Sequence, residues 1–327
     1  MAENLPTHRR ARRRTDDYTP GTPKVTLVTE PLPLPLAPTQ VLIKVHAVAL
    51  NYRDANIANG GNPWPVIPHG ILGNDAAGEI IAAGDKVKNL RVGDRVSPVT
   101  ATEFVTGRET GRSWLAANED GVLADYLVFE EHLIAKVPEH LDWILSSPMI
   151  GTGGVAMFAL KLAQAAGIKV ILSSSSDDKI KKIQDSFPSA PIYDVNYKTH
   201  PNWEEEVLKL TDGVGVDLTV DNGGSTSLVK SVLCTRRGGT VSQVGYLGGQ
   251  DPSQLKDFVS TIIDRRTIVR GINAGSRLDM EDMAAAMSAT GLKFDDIIDT
   301  VYDFEQAEEA LQYIWEGKQV GKLVLRV

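Results

Sequence analysis

A glycine-rich segment in the middle of the chain has the spacing of a phosphate-binding loop. Residues 151–156 read GTGGVA, which fits the pattern G-x-G-x-x-G/A, and they open Val155–Ala166, where apolar residues recur at helical spacing. Such glycines permit a tight turn and a close approach of pyrophosphate, and a helix N-terminus attracts phosphate. The segment predicts a dinucleotide-binding loop, with a plain glycine-rich turn as the alternative. Its candidate residues are Gly151, Thr152, Gly153, Gly154 and Val155.

The residues after the next predicted strand indicate which dinucleotide would bind. Lys169–Leu172 is typical of a short buried strand, and the sequence SSSSDDK follows it at residues 173–179. An acidic side chain at this strand tip would bind the ribose 2′-hydroxyl of NAD, whereas serines followed by a lysine suit a 2′-phosphate. Ser174, Ser175 and Lys179 are therefore candidate contacts of NADP(H), the predicted cofactor. Ser176 or Asp177 can also serve as a helix N-cap in this segment.

Secondary-structure signals divide the chain into two halves. Up to about residue 136 the pattern is one of short strands and turns, as at Lys24–Val28, Val41–Leu50, Glu79–Ala82 and Arg95–Pro98. After Pro138 helices and strands alternate, which predicts an α/β fold with a doubly wound parallel sheet. The later predicted elements of this half are Asp177–Phe187, Trp203–Leu210, Val216–Val220, Leu228–Cys234, Thr240–Val244 and Leu255–Arg265.

These signals predict a domain organisation with three parts. Residues 1–20 are expected to be a disordered basic tail. Residues 21–136 form a β-rich substrate domain that residues 285–327 complete, because Asp303–Trp315 is an amphipathic helix and Gly321–Val327 an apolar strand that pairs back. Residues 137–284 form the nucleotide-binding domain.

Composition excludes several classes of protein. A net charge of -8 and 6% aromatic residues argue against a nucleic-acid partner. Five arginines within residues 9–14 suggest a targeting signal or a contact with an acidic partner, but flanking acids and the lack of an apolar stripe favour a solvated tail. The single cysteine, Cys234, forbids an internal disulfide, and no apolar run approaches the roughly 20 residues of a membrane span. We therefore expect a soluble, cytoplasmic protein with no membrane partner.

Five ordered motifs resemble the medium-chain dehydrogenase/reductase superfamily, and the quinone oxidoreductase-like branch most of all. They are NYRD at 51–54, GNDAAGE at 73–79, VGDRV at 92–96, the loop at 151–156, and GYLGG at 245–249. The resemblance implies a GroES-like N-terminal domain on the substrate side and a Rossmann domain that binds the nucleotide. It also implies a substrate that is a small carbonyl compound or quinone, and pairing into a homodimer.

The resemblance bears directly on metal binding. Zinc-dependent members have a cysteine near the position of Asn51 and a His-Glu pair where this chain has Asn74 and Asp75. Asparagine is a poor zinc ligand, the thiolate is missing, and the four-cysteine structural lobe is absent. We therefore expect no metal site and catalysis without zinc.

Further cofactor contacts follow from the resemblance alone. Tyr197 matches a tyrosine near the adenosine phosphate, Gly245 and Tyr246 match residues beside the nicotinamide, and Ser276 and Arg277 belong to a later loop over the cofactor. Each also has an ordinary structural interpretation. Tyr197 can be half-buried, Gly245 a turn after a strand, and Arg277 a solvated helix start.

The segment at residues 51–54 supplies the catalytic candidates. Without a metal, hydride transfer needs a polarised acceptor, such as a quinone or an enone, and hydrogen-bond donors at its oxygen. Asn51 and Tyr52 can donate, and Asp54 could orient Tyr52 or Arg53. The alternative is a turn stabilised by Asn51 with an Arg53–Asp54 charge pair. The sequence thus predicts an NADPH-dependent, zinc-independent reductase of quinones, enones or related carbonyl compounds.

The passage before the glycine loop is shorter than in the family it resembles. Relatives have a helix and an apolar strand there, whereas this chain has only residues 141–150, LDWILSSPMI. Roughly thirty residues, about one strand-helix unit, are missing, and the missing strand is the central first strand of the order 3-2-1-4-5-6. We hypothesise a shortened splice form or gene model. The alternatives are an inactive or weakly nucleotide-binding isoform and, disfavoured by the ligands, a zinc-type alcohol dehydrogenase.

Overall fold

A computed structural model describes residues 5–147, 154–187 and 191–327 of the chain. It divides into two compact units, the first from Met1–Val155 with Ala274–Val327 and the second from Ala156–Asn273. Among the described helices, none is long and apolar enough to cross a membrane.

The strands and helices are numbered in chain order. The strands are β1 (His8–Arg14), β2 (Val25–Pro31), β3 (Gln40–Leu50), β4 (Asp75–Ala83), β5 (Arg95–Pro98), β6 (Tyr126–Glu130), β7 (Ile134–Lys136), β8 (Val170–Ser174), β9 (Ile192–Asn196), β10 (Val216–Asp221), β11 (Thr235–Gln243), β12 (Ile268–Gly271), β13 (Ile298–Asp303) and β14 (Lys322–Arg326). The helices are α1 (Tyr52–Ala58), α2 (Trp143–Ser146), α3 (Val155–Ala165), α4 (Asp177–Ser186), α5 (Trp203–Leu210), α6 (Ser225–Cys234), α7 (Phe258–Arg265), α8 (Arg277–Thr290) and α9 (Ala307–Trp315).

One sheet forms the centre of the first unit. Its strands lie in the order β13-β14-β3-β4-β5-β7, and β6 also pairs with β3. The long strand β3 is buried along most of its length and is antiparallel to β4, β6 and β14, so the C-terminal strand returns to this half. Its side chains, with those of α1 and α9, fill a continuous core that includes Ile43, Leu50, Ile57, Phe304 and Leu323. This core holds the end of β3 and the start of α1 in place.

The predicted disordered tail is instead an ordered strand. β1 pairs antiparallel with β2 along its whole length, from His8 opposite Pro31 to Arg14 opposite Val25. Arg9, Arg10 and Arg13 are paired with acidic residues elsewhere in the chain, and Arg13 for example contacts both Glu30 and Asp120. The sequence pattern could not show this, because the partner carboxylates are brought to β1 only by folding.

The segment before the glycine loop belongs to the first unit, not to the nucleotide-binding half that was predicted to begin at residue 137. α2 packs on β3, β4 and β14, and the Trp143 ring stacks on His46 at 4.3 Å between ring centroids. The Arg95 guanidinium lies 3.7 Å from the centroid of the same ring. Residues 274–284 also fall in the first unit, where α8 packs on β7.

The parallel strands of the second unit form two separate sheets. β8 pairs with β9, and β10 pairs with β11, which pairs with β12. In the order 3-2-1-4-5-6, these strands take positions 3-2 and 4-5-6. Among the described residues no strand pairs with the free edge of β8 or of β10. The α/β alternation predicted for this half is present, and no described strand takes the position of strand 1.

One buried apolar cluster of the second unit lies between β9, α5 and α6. It consists of Val195, Val207 and Cys234, with partly buried neighbours around it. Cys234 lies in α6 with its thiol buried, and burial raises the pKa of this thiol to about 12. The chain's only cysteine is therefore an interior, unreactive group of this unit.

Candidate active site

The start of α1 is built by a reciprocal pair of hydrogen bonds. Asn51 is the N-cap, and its backbone N–H donates to Asp54 Oδ2 at 2.7 Å in a capping box. Asp54 is fully buried, and burial raises the pKa of its carboxyl to about 6. Asp54 therefore serves the helix start, and no hydrogen bond connects it to Tyr52 or to the guanidinium of Arg53 among the described contacts.

A buried lysine reaches the same point from the other end of the chain. Lys322 begins β14, and its Nζ donates to Asn51 Oδ1 at 2.7 Å. The Asn51 amide donates in turn from Nδ2 to Asp75 Oδ2 at 2.8 Å, and Lys322 Nζ lies 3.4 Å from that same oxygen. The side chains of Lys322 and Asp75 are 1% and 0% exposed. The ammonium, the amide and the carboxylate therefore contact one another and are shielded from solvent.

The charges of the ammonium and the carboxylate are matched. Burial lowers the pKa of Lys322, while Asp75 and Asp54 oppose that shift by favouring the ammonium. A buried ion pair needs further hydrogen bonds to satisfy its remaining donors and acceptors, and Asn51 supplies them to both partners. The amide of Asn51 is thereby held in one orientation, with its oxygen towards Lys322 and its nitrogen towards Asp75.

Two neighbouring side chains have different surroundings. Tyr52 is 40% exposed, and its ring stacks on Trp315 with centroids 6.3 Å apart. Arg53 Nη1 donates to Asn74 Oδ1 at 2.8 Å and to the carbonyl of Leu115 at 3.0 Å. The Arg53–Asp54 charge pair considered as the alternative is thus replaced by contacts of Arg53 with Asn74.

Three residues of this chain stand where zinc-dependent members of the superfamily have their zinc ligands, and their side chains do not suit zinc. Asn51, Asn74 and Asp75 offer two amides and one carboxylate, without thiolate or imidazole. The ammonium of Lys322 is already bonded within this set. In the described ranges, no group of three or more histidine, cysteine, aspartate or glutamate side chains is arranged to hold a metal ion.

The glycine loop is described only at its end. Gly151, Thr152 and Gly153 lie outside the described residues. Gly154 has a φ of +78°, a conformation that suits glycine, and α3 begins at Val155, where the sequence predicted a helix.

The carboxyl ends of β8 and β9 bring the predicted 2′-phosphate contacts together. The N–H of Tyr197 donates to the carbonyl of Ser174 at 3.0 Å, and Ser175 follows directly. Ser176 caps α4, because its hydroxyl accepts from the N–H of Lys179 at 3.4 Å. Asp177, the nearest acid, accepts a hydrogen bond from Asn196 at 2.7 Å. Serine hydroxyls, a lysine and an exposed tyrosine therefore share this edge of the β8–β9 sheet.

Gly245 and Tyr246 lie just after β11, where β10 also ends. Gln243 Nε2 donates to the carbonyl of Gly245 at 2.6 Å. A Cβ on Gly224, whose φ is +84°, would lie 2.7 Å from Tyr246 Cα, so only glycine permits this approach. Asp221 Oδ1 accepts from Gly223 N–H at 2.7 Å and from Gln243 Nε2 at 3.2 Å, which ties the two strand ends together.

Ser276 and Arg277 are in the first unit. Ser276 is the N-cap of α8 and forms a capping box with Asp279, so its buried hydroxyl is already bonded. Arg277 pairs with Glu281 one turn later. The loop is therefore the start of a helix, in agreement with the structural interpretation. Arg277 is paired with Glu281 and is not merely solvated.

Two residues of the candidate site, Lys322 and Asp221, were not predicted from the sequence. Lys322 precedes the apolar residues of the C-terminal segment GKLVLRV, which also contains Arg326, and a lysine that is buried with such a strand must find a partner. Asp221 closes an apolar strand before Asn-Gly-Gly, a pattern that favours a structured turn. Both signals are visible in hindsight, but neither identifies the partner.

Comparison with known proteins agrees across both halves of the chain. Residues 37–139 match the alcohol dehydrogenase GroES-like domain, and residues 154–289 match the zinc-binding dehydrogenase family. The zinc-type alcohol dehydrogenase-like protein C1773.06c of Schizosaccharomyces pombe is 31% identical, over 90% of this chain and 93% of its own length. An alcohol dehydrogenase of Geobacillus stearothermophilus is 26% identical over 88% and 91%.

Solved structures show the same architecture. A protein from Sinorhizobium meliloti 1021, named provisionally as an alcohol dehydrogenase, is 26% identical and has a TM-score of 0.84. The match covers 99% of this chain and 100% of that one. The predicted fold class, a GroES-like domain with a Rossmann-like parallel sheet, is therefore confirmed.

Proposed function

Because this chain belongs to the medium-chain dehydrogenase/reductase superfamily, we propose that it is a zinc-independent enzyme that reduces a quinone, an enone or a related carbonyl compound with NADPH. Membership makes it an oxidoreductase of small molecules in a family that uses nicotinamide cofactors. The absence of zinc, the choice of NADPH, the acceptor and the place in the quinone oxidoreductase-like branch are the proposed part.

The buried ammonium of Lys322 carries the proposal of zinc independence. It lies 2.7 Å from Asn51 Oδ1 and 3.4 Å from Asp75 Oδ2, two of the three residues at zinc-ligand positions. A divalent cation among these atoms would be repelled by the ammonium and would lack the nitrogen and sulfur ligands that zinc favours. The lysine already neutralises the carboxylate that a metal would otherwise neutralise.

The edge of the β8–β9 sheet supports NADPH over NADH. Ser174 and Ser175 carry hydroxyl groups, Lys179 carries a positive charge, and the exposed residue Tyr197 follows β9 at the same edge. The carboxylate of Asp177 is bonded to Asn196 and is thus not offered to a ribose hydroxyl. This set of groups favours a 2′-phosphate.

The remaining catalytic task is to polarise the acceptor oxygen. The nicotinamide supplies the hydride when the cofactor is bound. Tyr52 presents a phenol hydroxyl on an exposed ring, which suits it to donate to a carbonyl oxygen. Asn51 contributes an amide whose orientation Lys322 and Asp75 fix, so no reorganisation is needed as charge develops.

NADPH consumption in the absence of metal tests the proposal. Purified protein is incubated with NADPH and 1,4-naphthoquinone or an aryl enone, before and after dialysis against EDTA. We expect one NADPH oxidised per acceptor reduced, at a rate that EDTA leaves unchanged and with NADH a poorer donor. Stoichiometric zinc in the active protein, with activity lost on chelation, would contradict the proposal.

The same experiment distinguishes the proposed zinc-independent enzyme from a zinc-dependent one. The S. pombe relative is named as zinc-type, and one matching family is named as zinc-binding. Metal analysis of the active fraction distinguishes the two assignments directly. A cytoplasmic location and pairing into homodimers belong to our proposal too, and cell fractionation and light scattering test them.

A second candidate function follows from the separation of the described parallel strands into two sheets. The free edges of β8 and β10 suit a shortened isoform that binds nucleotide weakly or not at all. In that case saturating NADPH would cause no thermal shift in this chain, whereas a version with the strand-helix unit restored would be stabilised. Sequencing transcripts across Trp143 to Gly151 checks whether a longer in-frame message exists.

A further inference from the structure

Two loops of the first unit place two tryptophans and an arginine together at the surface. The rings of Trp64 and Trp114 meet edge to face, with centroids 5.9 Å apart and planes at 86°. The guanidinium carbon of Arg112 lies 5.5 Å from the centroid of each ring. We call these three side chains the Trp–Arg cluster.

The backbone fixes the position of this cluster. Trp114 forms an antiparallel bridge with Ala101, and its carbonyl accepts from the N–H of Ala117 at 3.2 Å. The N–H of Ile67 donates to the carbonyl of Ala117 at 2.8 Å, which ties the loop of Trp64 to that of Trp114. The two indoles therefore belong to a preformed surface.

Arg112 differs from the arginines that stabilise the fold. Its side chain is exposed, and no hydrogen bond or ion pair joins its guanidinium to another described residue. Arg13, in contrast, contacts Glu30 and Asp120. A guanidinium beside aromatic faces keeps its N–H donors available in a planar fork, which matches a carboxylate or a phosphate.

The cluster adjoins the candidate active site through Arg53. The guanidinium of Arg53 lies 5.9 Å from the centroid of the Trp114 ring, and its Nη1 bonds Asn74, the neighbour of Asp75. Its Nη2 is buried without a hydrogen-bond partner. Asp54 and Asp75 interact favourably with the charge of Arg53, so Arg112 is the exposed cation of this aromatic surface, next to the residues that we assign to substrate polarisation.

We propose that the Trp–Arg cluster selects a planar, conjugated acceptor that carries an anionic group. The indole faces pack against the conjugated part of the substrate, and Arg112 binds its carboxylate or an equivalent anion. This inference rests on the proposed function, since it names the substrate class of the same site.

A matched pair of acceptors tests the role of the charge. 4-Carboxybenzalacetone is a planar aryl enone with a carboxylate, and its methyl ester has the same conjugated system without the charge. We expect Arg112→Ala to raise KM for the acid about tenfold, which corresponds to about 1.4 kcal/mol, with kcat nearly unchanged. KM for the ester should change less than twofold. Arg108→Ala removes another exposed arginine of the same loop and should leave both substrates unaffected.

A binding measurement without NADPH keeps this test independent of turnover. The acid should quench tryptophan fluorescence, with a tenfold weaker Kd in Arg112→Ala and little remaining quenching in the double variant Trp64→Phe, Trp114→Phe. If the acid binds in this way but is not reduced, the proposed function fails and the cluster stands. Equal Kd values for the acid in the original protein and Arg112→Ala, or equal loss for acid and ester, would overturn the inference.

Discussion

The two units of this protein are built with very different completeness. In the first unit, β3 has a paired neighbour on each side and its apolar side chains join one continuous core. In the second unit, Leu218 of β10 is 54% exposed and Ile263 of α7 is 70% exposed. A strand in a doubly wound sheet is normally covered on both faces by helices. The comparison teaches that, in the part of the chain that the structure describes, the strands β8 and β10 lack both a backbone partner on one edge and part of their apolar cover.

Unpaired strand edges would lower the stability of the second unit. A buried backbone amide without a partner costs about 1–3 kcal/mol, and a whole domain is typically stable by only about 5–15 kcal/mol. Among the described residues β8 and β10 each have one edge without a strand partner, and several unpaired amides there would consume much of that margin. We therefore expect the second unit to open first, while the first unit remains folded.

Restoring the strand-helix unit should have the largest effect. Inserting about thirty residues of that type between Trp143 and Gly151 should raise the free energy of unfolding of the second unit by on the order of 5 kcal/mol, because both free edges gain partners. Hydrogen exchange followed by mass spectrometry reports each unit separately. A glycine-serine insert of equal length is the control. Equal protection of both units before any insertion would contradict the comparison.

Removing the buried ammonium of Lys322 should strongly destabilise the first unit. Lys322→Met leaves the carboxylate of Asp75 buried without its cation, at a cost of about 3–5 kcal/mol in the free energy of unfolding. Adding Asp75→Asn should recover much of that loss, because the unpaired charge disappears with it. Urea denaturation of both variants measures the coupling. Additive losses would mean that the two side chains do not interact.

Adding a single methyl group to a glycine should destabilise the second unit much more at Gly224 than at Gly213. Gly224→Ala places a Cβ 2.7 Å from Tyr246 Cα at a φ of +84°, and we expect about 3 kcal/mol of destabilisation from clash and strain together. Gly213 has a similar φ of +79° with nothing within 4 Å of its Cβ, so Gly213→Ala should cost only about 1 kcal/mol. Thermal unfolding compares the two. Equal costs would show that strain alone matters.

The smallest expected effect is a pH dependence confined to the first unit. The native pKa of Asp54 is about 6 and its ordinary value is 3.8, so the folded state binds this proton more tightly. The stabilisation it gives is complete below pH 3.8 and is lost as pH rises through about 6, and about 2 kcal/mol of it is lost between pH 4.5 and pH 7. Asp54→Asn should flatten the difference between urea denaturation at pH 4.5 and at pH 7. Parallel pH profiles for the two proteins would refute this.

Local patterns allowed several elements to be predicted from the sequence. Arg95–Pro98 and Trp203–Leu210 have the predicted bounds, since alternation and helical periodicity are properties of neighbouring residues. The short strand Ile268–Gly271 was predicted as neither strand nor helix, because four residues after a helix carry little periodic signal. The shortening before the glycine loop was inferred from the family resemblance alone and stays a prediction.

Contacts between distant residues limited what the sequence could show of the site. Asn51 was predicted as a donor from its type, but its bond to Lys322 spans 271 positions. Asp54 was expected to orient Tyr52 or Arg53, but its carboxylate accepts a hydrogen bond from the backbone N–H of Asn51 at the helix N-terminus. Residue type indicated which side chains can do chemistry, and only the packed strands decide which of them are already engaged.

The burial of Cys234 gives this chain an internal reporter. A thiol with a pKa near 12 that is shielded from solvent reacts with a disulfide reagent only when α6 opens. Because the sequence holds no other cysteine, the labelling rate counts opening events of the second unit alone. Ligands that close that unit would slow the reaction, so the kinetics of one modification can rank nucleotides without any assay of turnover.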